Sequence, residues 1–197
     1  MTLVLSGCVR TEVLEQSSSD VQRPPKKLLV CSLSTSADRG ERIETGMVAR
    51  LKKRRLDATT CKEWLGGDAG SDPSVLKSSA AAAGFDGVLV FQAENTADIQ
   101  KTLNLPDGAW DRFLQGYRSA LEKRSAAGEG EIGRLHDTFG RMRIIHAIVS
   151  LVDLQSDRTS WWTKGTLDGS AKRPLKDFIE SALERTEDEM AAAGLFR

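Results

Sequence analysis

The chain has 197 residues, 40% of them hydrophobic and 28% charged. That suffices for one folded domain with about 40 residues to spare, and it is too polar for a bundle of membrane helices. Its 28 Lys and Arg balance 28 Asp and Glu, so no net field draws nucleic acid or another polyanion. No run approaches the roughly 20 apolar residues of a spanning helix, which leaves peripheral or covalent routes to a membrane.

Residues Leu5, Ser6, Gly7 and Cys8 read LSGC. This resembles the bacterial lipobox, in which small residues precede a cysteine that is acylated on sulfur, and it makes Cys8 the expected lipidation site. The apolar stretch ahead of it is only Leu3 to Leu5, with no Lys or Arg. A secretory signal carries a basic region and about 7–15 apolar residues, so residues 1–8 read as a signal remnant whose start lies upstream. Val9 follows the cysteine; the resemblance implies sorting to the outer membrane, because residues other than Asp there generally do so. Residues 9–26, with Ser17 to Ser19 and Pro24-Pro25, read as a flexible tether spanning roughly 20–25 Å.

The folded domain is expected over 27–197. Lys27 to Leu33 has the composition of a buried strand, followed by a loop at Ser34 to Ala37. Asp38, with Glu41 three residues on, reads as the cap of a helix whose apolar face is Ile43, Met47, Val48 and Leu51. The helix ends in Lys52-Lys53-Arg54-Arg55, four cations that suit the negative end of its dipole better than they suit a polyanion site. Leu56 to Cys61 reads as a second strand and Gly66 to Ser71 as a linker without phosphate-loop spacing. Asp72-Pro73 opens an Ala-rich helix that Gly84 ends, and Asp86 to Gln92 is the clearest buried strand. This alternation predicts right-handed crossovers and a parallel core.

An insertion is expected over 95–140. Within it Trp110, Phe113, Leu114, Tyr117 and Leu121 recur at helical spacing over 109–124. Core packing is the simpler account of this face; a partner or subunit contact through Trp110, Phe113 and Tyr117 is the sharper one. Residues 125–140 read as an exposed loop. Met142 to Leu154, a turn at 155–158 and Thr159 to Leu167 then make a β-hairpin, whose Trp161-Trp162 pair is a further candidate contact. A last helix runs from Pro174 on an inner face of Leu175, Phe178, Ile179, Leu183 and Met190; Gly194 closes it and Leu195-Phe196 folds back.

The expected fold class is therefore α/β: a mixed sheet in two or three layers, with a βαβαβ core, a helical insertion, a β-hairpin and a C-terminal helix. This order, the LSGC box and the closing Trp-bearing strand and Gly-Leu-Phe helix end resemble a group of bacterial envelope domains. That group includes the curli-secretion lipoprotein, the Pel-polysaccharide lipoprotein and the N-terminal domain of TolB. The resemblance implies a non-catalytic envelope protein working in export or assembly, often as a homo-oligomer, with Cys8 the one functional residue it transfers.

No catalytic constellation, cofactor loop or metal spacing emerges from the residues themselves. His136 sits in the insertion and His146 on a strand, and Cys8, Cys31 and Cys61 have no metal-ligand spacing. An oxidising compartment permits a Cys31–Cys61 bridge. Two cysteines on neighbouring strands meet its geometry poorly, so buried thiols are the stronger expectation. Two functions compete. One is a lipid-anchored component at the periplasmic face of the outer membrane, bound to it by acyl chains and meeting other copies or envelope proteins. The alternative is a soluble small-molecule-binding or enzymatic domain with its site at the strand C-terminal ends, near Ser34–Asp38 and Gln92–Asn95.

Overall fold

The computed structural model describes residues 10–17, 23–34, 36–65, 72–94, 108–126, 138–139, 142–170 and 173–196. Its elements are β1 (Arg10–Ser17), β2 (Lys27–Ser32), α1 (Ala37–Lys53), β3 (Asp57–Thr60), α2 (Cys61–Leu65), α3 (Pro73–Ala82) and β4 (Gly87–Glu94). They continue with α4 (Ala109–Ala126), β5 (Thr138–Phe139), β6 (Met142–Asp153), β7 (Arg158–Ser170) and α5 (Leu175–Ala192). The strands form one seven-stranded sheet in the order β1-β7-β6-β4-β2-β3, with β5 paired to β6. β2 runs parallel to β3 and to β4, while β6, β7 and β1 follow antiparallel. The mixed α/β class expected from the sequence is the one observed.

Alternation along the central strands divides the apolar residues between two cores. Leu28, Val30, Leu89 and Phe91 face Met47 and Leu51 of α1 and Ile179 and Leu183 of α5. Leu29, Cys31, Val88 and Val90 face Ala80 of α3 and Trp110, Phe113, Leu114 and Tyr117 of α4. Strands covered on both faces must be apolar at every position, and that is why β2 and β4 read as unbroken apolar runs. The result is three layers, helix on sheet on helix.

Turn chemistry ties the layers together. Asp157, in the β6–β7 turn at φ 56°, accepts the Trp110 N–H at 2.9 Å and pairs with Lys77 of α3 at 2.9 Å. Asp72 caps α3 by accepting the Ser74 N–H at 2.8 Å. At the C-terminus Gly194 turns left-handed at φ 72°, the Leu195 N–H reaches the Met190 carbonyl at 3.0 Å, and Leu195 returns to the core. The basic end of α1 is partly paired: Arg50 and Arg54 meet Glu187, and Arg50 also meets Glu180.

Several expectations are corrected. Residues 10–17 are an edge strand, in register from Arg10 opposite Asp168 to Ser17 opposite Trp162, where a flexible tether was expected. RTEVLEQS contains neither Gly nor Pro, and the 13-residue β7 offers it a long free edge. Lys26, the last residue of the expected tether, is also tied down, since Asp86 accepts the Lys26 and Lys27 N–H groups at 2.6 and 2.9 Å. Ser36, in extended conformation, caps α1 in place of Asp38. The second strand stops at Thr60, and Cys61 opens α2. Cys8, the 66–71 linker and 127–137, including His136, lie outside the described residues.

Candidate functional site

The loop after β2 leads to α1 on one face of the sheet, whereas the chain after β4 leads to α4 on the other. Adjacent parallel strands whose connections part in this way leave a crevice at their carboxyl ends, the usual ligand position in open α/β sheets. Here the α4 side of that crevice is filled by the protein's own side chains. Arg124, from the last turn of α4, donates through Nε to the Ser34 carbonyl at 2.7 Å and through a terminal nitrogen to the Ser32 carbonyl at 2.9 Å. Its guanidinium lies against Gly40 where any Cβ would overlap it, so a glycine in the first turn of α1 is a steric condition for the arrangement.

Glu44 completes the cluster from α1. It is 2% exposed and accepts the Ser32 N–H at 3.0 Å and the Lys62 N–H at 3.5 Å. Burial pushes its carboxyl above the usual range, opposed by those two N–H groups and by the charges of Arg124 and Lys62. Tyr117, on the inner face of α4, is pushed up to about 12 by burial and by the Glu44 charge, with Arg124 acting in the opposite sense. A cation bonded to two strand-end carbonyls and a carboxylate bonded to two backbone N–H groups are fully employed in holding the chain.

Cys31 and Cys61 immediately precede the two residues whose N–H groups Glu44 binds. Their Cα atoms are 5.1 Å apart and their sulfurs are joined as a disulfide, with both residues fully buried. The expectation of separate buried thiols is corrected. The β2–β3 pairing ends at Val30 opposite Thr60, so Cys61 has already left the sheet for α2 and is free of the strand geometry that disfavours a bridge.

On the α5 side the same strand ends open into an apolar groove of about 590 Å³, counted with its mouth. Phe91, Ile148, Leu167, Phe178, Ile179 and Leu183 line it, together with the polar residues Ser32, Ser34, Arg39 and Gln92. The aromatic residues singled out in the sequence lie elsewhere. Trp110, Phe113 and Tyr117 are at most 4% exposed and pack on the sheet. Trp161 is fully buried in the opposite core, and Trp162 is half-buried beside β1. The α4 face and Trp161 are therefore core, and of the five candidate contacts only Trp162 keeps access to solvent.

Among the described residues no cluster of three or more His, Cys, Asp or Glu could hold a metal ion, and no helix is long and apolar enough to cross a membrane. No protein-family model matches the sequence, nor does any curated protein. The fold is similar to solved structures. Two are PelC dodecamers from Paraburkholderia phytofirmans: one at 13% identity and TM-score 0.48, covering 95% of this chain and 97% of that one, the other at 14% and 0.49, covering 89% and 94%. Lipoprotein GNA1162 from Neisseria meningitidis is similar at 10% identity and TM-score 0.45, covering 85% and 99%. Likeness at this level decides nothing about function, which has to be read from this chain's own residues.

The cluster residues Glu44, Arg124 and Gly40 were not singled out in the sequence, although two of them left a signal. Glu44 interrupts the apolar stripe of Ile43, Met47, Val48 and Leu51. Arg124 ends the stripe that runs through Tyr117 and Leu121. A charge on an apolar helix face marks a buried polar contact.

Proposed function

We propose that this chain is a lipid-anchored, non-catalytic component of the bacterial envelope, held at the periplasmic face of the outer membrane by acyl chains on Cys8 and accessory to export or envelope assembly. The observation that carries this reading is where β1 begins: Arg10, two residues after the cysteine of the LSGC box. A lipid on Cys8 leaves almost no free chain between bilayer and domain, so the anchor also orients the sheet. β1 starts at the edge where β7 ends and where β2 and β4 end, and that edge faces the membrane. The buried Cys31–Cys61 bridge suits an oxidising compartment. Arg124 and Glu44 occupy the place where a domain of this architecture would hold a substrate. Other copies or envelope proteins then meet the domain at its lateral edges, where Trp162 lies beside β1.

The test is fractionation of the full chain, preceded by a complete lipoprotein signal and made in a two-membrane bacterium fed labelled palmitate. Label on the wild type in the outer-membrane fraction, and none on Cys8→Ser in the soluble periplasm, is the expected result. Unlabelled wild type in the cytosol would refute the proposal.

A further inference from the structure

The groove on the α5 side lies at the same edge of the sheet as the start of β1. Leu167, one of its lining residues, is the register partner of Thr11, and Cys8 is three residues before Thr11. Three extended residues reach at most roughly 10 Å, and neighbouring strands are about 4.8 Å apart. The thioether carbon of an acylated Cys8 therefore falls within easy reach of the groove mouth. The walls are hydrocarbon: Phe91 and Ile148 from the sheet, Phe178, Ile179 and Leu183 from the first half of α5. Polar lining is confined to Ser32, Ser34, Arg39 and Gln92. A lipidation candidate three residues before Thr11 and an apolar lining that includes the register partner of Thr11 thus lie at one edge of the sheet.

From this juxtaposition we infer that the groove between α5, the carboxyl end of β4 and the first half of β6 seats one acyl chain of the lipid on the protein's own Cys8. This rests on the acylation proposed above. Seating one chain leaves fewer in the bilayer, and membrane affinity falls steeply with each chain withdrawn. The groove so makes the anchored domain releasable, with the membrane and the groove competing for the same hydrocarbon.

The experiment uses the full chain made in bacteria grown on a diazirine-bearing fatty acid that enters the Cys8 lipid. After purification in detergent, irradiation and proteolysis, cross-linked peptides are mapped and the intact mass is read beforehand. The expected result is a link within one chain from the Cys8 peptide to residues 175–183, reduced at least fivefold in Ala182→Phe and in Ala147→Leu, two variants that fill the groove from opposite walls. Retained melting temperature separates filling from misfolding, and either variant alone suffices. Links only to phospholipid or detergent, or links between two chains, overturn the inference while leaving the anchor intact. An unmodified Cys8 mass removes the anchor and the inference together.

Discussion

On the α4 side of the sheet the carboxyl end of β2 is sealed by charge and hydrogen bonds, whereas on the α5 side the ends of β2 and β4 open into a mostly apolar groove. Both sides began with the same problem, since each presents backbone groups at strand ends that water or protein must satisfy. Arg124 and Glu44 solve it on one side by spending their polar atoms on Ser32, Ser34 and Lys62. With the polar groups satisfied there, the other side is left apolar. A switch-point crevice is thus converted from a polar ligand site into a structural joint and a separate greasy groove.

The seal can be broken at two points with falling effect. Cys61→Ser, or reduction, removes a cross-link closing 30 residues, expected to cost about 3–4 kcal/mol and, for a chain of this size, about 10 °C in melting temperature. An unchanged midpoint under reducing and oxidising conditions would show that the bridge does not form. Arg124→Met leaves two carbonyls without their Arg124 hydrogen bonds and Glu44 without the stronger in effect of its two cations, at a cost of about 2–3 kcal/mol in urea unfolding. Loss should concentrate in α4, read as faster amide exchange over 109–126, and uniform loosening of the whole chain would contradict the joint.

Titration tests the same cluster more gently. Tyr117 is the single tyrosine, so ultraviolet absorbance reports it alone. A folded value of about 12 against about 10 unfolded means that its stabilisation is complete below pH 10. It is lost as pH rises through 12, on the order of 2 kcal/mol. Tyr117→Phe should lack that alkaline decline. Glu44 has the smallest effect and the same sign: its raised pKa gives stability that is full below the ordinary carboxylate value and lost as pH rises through the folded one. Glu44→Gln should flatten that mildly acidic slope, and a steeper slope in the variant would mean that the carboxylate is favoured by the fold.

Sequence patterning made the layers legible because burial on one or both faces writes itself into periodicity. The α1, α4 and α5 stripes and the unbroken β4 run are of this kind. β1 was harder to see, because an edge strand with one pairing partner needs little apolar character and RTEVLEQS has little. The joint was harder still. Arg124 and Ser32 are 92 residues apart, and no local spacing records that they meet. What could be read was the misfit, one carboxylate and one guanidinium on faces that otherwise carry only hydrocarbon.

The contrast between the two sides is tested most directly by titrating decanoate into isotope-labelled, lipid-free Cys8→Ser protein and following amide and methyl resonances. Shifts confined to the groove lining, at Ser32, Ser34, Phe91, Ile148, Leu167 and residues 175–183, with Lys62, Tyr117 and Arg124 unmoved, are the expected result. Shifts centred on the Glu44–Arg124 side, or none at any site up to the solubility of the acid, would contradict a sealed face and an open one.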